Sequence, residues 1–102
     1  MVNLSQTMNE GQRKEILLTR REIGKKLSKL LAEQGSPFTL DDIKAAIDNE
    51  EGTSVFGTIL RMFRTEPYTP EFQILVDLIR EAWNYYPHKS LGGLSPKEKA
   101  FE

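Results

Sequence analysis

Residues 69–87 read Thr69-Pro70-Glu71-Phe72-Gln73-Ile74-Leu75-Val76-Asp77-Leu78-Ile79-Arg80-Glu81-Ala82-Trp83-Asn84-Tyr85-Tyr86-Pro87. The stretch opens with helix-start chemistry. The Thr69 hydroxyl can accept from a first-turn amide, and Pro70 falls at the first helical position, where an N–H would find no partner. Glu71 complements the positive end of the helix dipole. Pro87 halts the helix, which is therefore expected over residues 70–86. Phe72, Leu75, Val76, Ile79, Ala82, Trp83 and Tyr86 fall on one face at helical spacing. Ile74, Leu78 and Tyr85 form a second apolar strip, leaving Asp77, Arg80, Glu81 and Asn84 clearly polar. A helix apolar around most of its circumference is either central in a fold or faces a partner.

Upstream, the same grammar recurs. Residues 10–34 carry Ile16, Ile23, Leu27, Leu30 and Leu31 on one helical face, with Gly35 and Pro37 as a stop. Thr39 with Asp42 resembles a capping box, and Phe38 with Ile43 stands at hydrophobic-staple spacing. They open a second helix with an Ile43, Ala46, Ile47 stripe, ended by Gly52. A third helix is expected over residues 53–64, with Val55, Phe56, Ile59, Leu60, Met62 and Phe63 apolar and Arg61 and Arg64 opposite. Downstream, Ser95-Pro96-Lys97-Glu98 is an N-cap, a first-position Pro and a capping-box acid, so a short fifth helix starts there. No segment alternates with period two. The expected fold is all-α, a compact bundle of four main helices plus a short C-terminal helix, with a flexible N-terminus over residues 1–9 and a single helical domain over 10–102.

Composition narrows the function classes. The 102 residues suit one domain, and the net charge of −1 is not that of a protein gripping nucleic acid with its whole surface. The chain has no Cys and one His, which leaves no thiolate or His cluster for a metal and no Cys nucleophile. No apolar run is long enough for a membrane span and residues 1–10 lack a signal-peptide core, so a cytoplasmic location is expected, without membrane, metal or cofactor. The charge is nevertheless polarised. Residues 13–29 hold seven basic and two acidic side chains, and residues 33–51 hold six acids against Lys44 alone. Lys14, Arg21, Lys25 and Lys29 cluster opposite the apolar face of the first helix.

The tail, Asn84-Tyr85-Tyr86-Pro87-His88-Lys89-Ser90-Leu91-Gly92-Gly93-Leu94-Ser95-Pro96-Lys97-Glu98, resembles the C-terminal tail of the retroviral-type integrases of bacterial insertion sequences. That tail has an Asn, then Arg-Pro-His, a Ser-Leu-Gly stretch and Thr-Pro-x-Glu. Asn84, Pro87, His88, Ser90, Leu91, Gly92, Ser95, Pro96 and Glu98 match in kind. The spacing is one residue shorter, and Tyr86 stands where that family has Arg. The likeness covers about sixteen of 102 residues. The family's acidic catalytic core has no counterpart, so no catalytic residue is carried over. The Pro87 to Pro96 motif also resembles the toxin-binding domain of Xre-type antitoxins, in which a further helix follows. Residues 38–63 look like the helical part of winged-helix DNA-binding domains, but the third helix is mostly apolar and no wing hairpin follows.

These readings converge on a small, non-enzymatic helical binding module, a protein-interaction or self-assembly adaptor. Its expected contact residues are Ile74, Leu78, Trp83, Tyr85, Tyr86 and His88, facing a protein partner or a second copy. The alternative is a nucleic-acid-binding accessory protein, linked by the tail resemblance to mobile DNA and using Lys14, Arg21, Lys25 and Lys29. His88 beside Ser90 makes no triad, and no catalytic residue is assigned.

Overall fold

In the computed structural model, which describes residues 9–49 and 54–101, the chain becomes helical directly after Asn9. The Asn9 side chain accepts from the Gln12 amide at 2.8 Å, while Gln12 Oε1 accepts from the Asn9 amide at 2.9 Å. This reciprocal capping box satisfies two of the helix's orphan donors. Of the flexible segment expected over residues 1–9, Asn9 is the N-cap of this helix, and residues 1–8 lie outside the described residues. The helix, α1, spans Glu10–Glu33. It ends at Gly35, whose φ of 64° suits a residue without Cβ. Ser36 N–H bonds Leu31 O at 2.9 Å and Gly35 N–H bonds Ala32 O at 3.1 Å, the paired bonds of a Schellman stop.

Helix α2 covers Leu40–Asp48. The Asp42 carboxylate accepts from the Thr39 amide at 2.8 Å, and Ile43 and Ile47, one turn apart, are fully buried. Gly52 and Thr53, expected at the end of this helix and the start of the next, lie outside the described residues. Helix α3 is only Val55–Leu60, shorter than the residues 53–64 expected. Met62 and Phe63 stay buried, but in a turn whose amides bond Ile59 O and Leu60 O three residues back. That turn is stitched to the end of α1: Ser36 donates to Met62 O at 2.7 Å, and Gln34 bonds both Thr65 Oγ1 and the Arg64 amide. Side-chain bonds from the residues just past α1 thus hold the chain where α3 could have continued.

Helix α4, Pro70–Tyr85, is capped by Thr69, which accepts from the Phe72 amide at 3.1 Å. Its buried residues are Leu75, Leu78, Ile79 and Ala82, the i, i+3, i+4, i+7 pattern of a core-facing stripe. Arg20 meets Tyr85 at one end and Gln34 meets Thr65 at the other, so α1 and α4 run antiparallel. After α4 come a 3-10 turn, Lys89–Leu91, and α5, Pro96–Lys99. The fold is all-α, with five helices among the described residues, and the only sheet-like pairing there is an isolated bridge between His88 and Leu94.

The core joins Ile23, Leu27 and Leu31 of α1 to Ile43 and Ile47, to Val55 and Ile59, and to Leu75, Leu78, Ile79 and Ala82. Each fully buried aliphatic side chain contributes about 1.5–3 kcal/mol relative to exposure. The tail closes over one end of this core. Gly92 (φ 69°) and Gly93 (φ 86°) take consecutive left-handed conformations, so that Gly93 N–H can reach back to His88 O at 2.9 Å. Ser95, fully buried, accepts from the Glu98 amide at 3.1 Å, and Glu98 Oε1 accepts from the Ser95 amide at 2.8 Å.

Candidate functional site

A groove of about 970 Å³ lies between α1 and α2. One wall is Leu17, Arg20, Arg21, Gly24, Lys25 and Ser28 of α1; the other is Leu40, Lys44, Ala45 and Asp48 of α2, and Tyr86 and Pro87 close it. The groove owes its floor to Gly24, a buried glycine in the middle of a long helix. A Cβ there would lie 2.9 Å from Leu40 Cδ2 and 3.1 Å from the Tyr86 hydroxyl. The missing side chain lets Leu40 and Tyr86 close against the α1 backbone and together make an apolar floor.

Tyr86 is pinned from three sides. Its hydroxyl donates to Arg20 O at 3.3 Å, its amide donates to Ala82 O, and the Lys44 ammonium lies 5.5 Å from its ring centroid. Burial pushes the Tyr86 phenol above its ordinary range, against a smaller opposing pull from the Arg20 charge. Arg20 is itself occupied: its guanidinium donates to Tyr85 O and to the Glu98 carboxylate. Burial works to raise the Glu98 carboxyl, but the Ser95 bonds and the Arg20 charge and bond together hold it below the ordinary carboxylate value. With Arg20 so engaged, Arg21, Lys25 and Lys44 form the exposed cationic rim, with Asp48 the acid on the walls. Lys25 approaches Glu22 at 3.6 Å, with both side chains about two-thirds exposed, a pairing worth little in water. The groove thus offers an apolar floor between positive edges.

The expected contact residues do not form one surface. Leu78 (5 % exposed), Tyr86 (2 %) and His88 (1 %) are buried within the chain. Leu78 belongs to the core stripe of α4 rather than to a second, outward strip. Trp83 is half-buried between the Phe56 ring, 5.5 Å away, and the His88 ring, which meets it edge-on at 4.4 Å. Tyr85 is half-buried beneath Lys97. Ile74 alone is well exposed, at 63 %, and lies about 16 Å from Tyr85 along the helix. Of the six, only Tyr86 lines the groove, and it does so as a buried floor.

Lys14, Arg21, Lys25 and Lys29 are all exposed. At 100° per residue they fall within an arc of about 80° on α1. The structure brings Arg21 and Lys25 to the groove wall, while Lys14 and Lys29 continue the stripe beyond it. Sequence reasoning missed Gly24, Leu17, Leu40 and Ala45 as site residues. The signals were a lone glycine inside a strong helical pattern, which calls for a packing reason, and a single lysine in an acidic stretch.

Among the described residues no helix is long and apolar enough to cross a membrane, and no cluster of His, Cys, Asp and Glu is placed to hold a metal ion. No protein-family model, curated protein or solved structure matches this chain.

Proposed function

We propose that this protein is a small non-enzymatic protein-interaction module that receives a segment of its partner in the groove between α1 and α2. The observation that carries the reading is the groove itself: about 970 Å³, an apolar floor of Leu40 and Tyr86 flanked by Leu17 and Pro87, and exposed cations on both walls. Floors of this kind gain from excluding water, and rim charges select and steer the partner. In this reading the cysteine-free chain works in the cytoplasm.

The test is a photo-cross-linking amino acid placed singly at Ser28 or Ala45, inside the groove, and at Thr58 or Glu81, exposed outside it, in the cell that expresses the protein. Discrete adducts are expected from the two groove positions only. Equal adducts from all four, or adducts from the outer pair alone, would remove the groove from the account. Adducts of twice the chain mass would make the partner a second copy and the module a self-assembly unit.

A second reading rests on a separate observation, the exposed arc of Lys14, Arg21, Lys25 and Lys29. In it the protein binds nucleic acid as an accessory factor, possessing a local rather than a global positive field. Binding to a short DNA duplex would then weaken steeply with salt and vanish on charge reversal at Lys14 and Lys29. No binding at low salt discards this reading.

A further inference from the structure

Resting on the protein-interaction reading, we infer that the groove's occupant is an acidic amphipathic α-helix of about three turns, with carboxylates four residues apart beside an apolar stripe. The length follows from the walls. From Leu17 to Ser28 the α1 side spans eleven helical rises, or about 16 Å. The helical form follows from the backbone. Both walls are helices whose interior amides and carbonyls are bonded within themselves, and the only sheet-like pairing among the described residues is the isolated His88–Leu94 bridge. An extended guest would find no strand edge to satisfy its main chain, whereas a helix satisfies its own and offers only side chains.

The charge follows from which cations remain available. Arg20 is tied to Tyr85 O and Glu98. Arg21 and Lys25, one turn apart on the same ridge, and Lys44 across the groove are exposed. Two guest carboxylates at i and i+4 match the spacing of Arg21 and Lys25, because both helices repeat at the same pitch. Leu40 and Tyr86 already occupy the space that Gly24 leaves empty, so the floor is shallow and smooth there. A nucleic-acid backbone would leave that apolar floor unfilled and would set phosphates against Asp48.

A displayed library of 16-residue segments, panned on the full chain at physiological salt, tests this directly. Expected are enriched sequences with Asp or Glu pairs four apart flanking apolar residues at i, i+3 or i+4, and i+7. Their affinity should fall at least tenfold on the Arg21→Glu, Lys25→Glu double variant. Enrichment of neutral, basic or proline-containing extended segments overturns the inference, as does no enrichment, or undiminished binding to the charge-reversed variant. If the groove cross-links persist while the selection fails, the groove stands as the site and the acidic helix falls. If both fail, the interaction reading falls as well.

Discussion

The Nε2–H of His88 donates to the carbonyl oxygen of Trp83 at 2.7 Å, filling the place where the helix would have used residue 87. In an uninterrupted α-helix the Trp83 carbonyl would accept from the amide four residues on, but that residue is Pro87, which has no N–H. The carbonyl can only accept, so the His88 Nε2 carries the proton of this bond. The same ring then packs edge-on against Trp83. What the proline removes, the next residue replaces, and the chain can stop α4 and turn without leaving a polar atom unpaired in a buried place.

His88→Ala removes both the donor and the ring beneath Trp83, and should destabilise the fold by about 2–4 kcal/mol, read as a lower urea midpoint. His88→Phe keeps most of the volume and should cost about 1–3 kcal/mol. Adding Pro87→Ala to the His88→Ala variant returns an N–H to position 87 and should recover part of the loss. A double variant no more stable than His88→Ala would show that the Trp83 carbonyl was not the group at stake.

Glu98 links the tail to α1 through Arg20 and predicts an acid limb. Its folded pKa lies below the ordinary value of 4.5. The sign for a depressed carboxylate is that its stabilisation is complete above the ordinary value and is lost as pH falls through the folded pKa. Glu98→Gln should therefore be less stable than the wild type at pH 7, by about 1–3 kcal/mol for a charge-assisted pair. The two proteins should converge as pH falls below the ordinary carboxylate range. Urea unfolding at pH 7 and in acid measures both.

Tyr86 predicts the opposite limb. Its phenol is raised above 10.0 by burial, so its contribution is complete below that value and is lost as pH rises through the higher folded pKa. Tyr86→Phe removes the hydroxyl's bond to Arg20 O and should cost about 0.5–1.5 kcal/mol at neutral pH. It should also lose stability less steeply than the wild type above pH 10. Parallel alkaline curves for the two proteins would contradict the burial of this hydroxyl.

Gly24 divides two substitutions. Alanine gains about 0.8–1.0 kcal/mol of helix propensity, and the atom it meets most closely is the mobile end of Leu40. Gly24→Ala should therefore be nearly neutral in thermal unfolding. Gly24→Ile drives into Leu40 and Tyr86 together, and overpacking of this kind costs about 1–3 kcal/mol. A stabilised isoleucine variant would mean that the α1–α2 approach is looser than described.

Much of this architecture was legible because it is local. Thr69-Pro70-Glu71, Ser95-Pro96-x-Glu98 and Gly35 each act through bonds within a few residues, and each forms as read. Asn9 and Gln12 carry the same kind of signal, hidden in a stretch whose polarity suggested fraying. What was not legible depends on distance. Periodicity could not say which side of the broadly apolar α4 faces inward, so Leu78 and Ile74 were grouped although one is in the core and the other in water. The extent of α3 is set by Ser36 and Gln34, from the far end of α1. The groove depends on Arg20, Tyr86 and Glu98 meeting across 66 and 78 residues, and on a glycine whose purpose appears only when Leu40 and Tyr86 lie against it.

If the protein meets its partner in the α1–α2 groove, filling the groove should exclude that partner. Ala45 is an exposed lining residue, so Ala45→Trp should fill the groove with a stability change within about 0.5 kcal/mol, as for other surface sites. With the photo-cross-linker at Ser28, adducts formed by the otherwise unaltered chain should disappear when Ala45→Trp is added, while the unfolding midpoint stays in place. The same adducts at the same yield from the filled groove would contradict it.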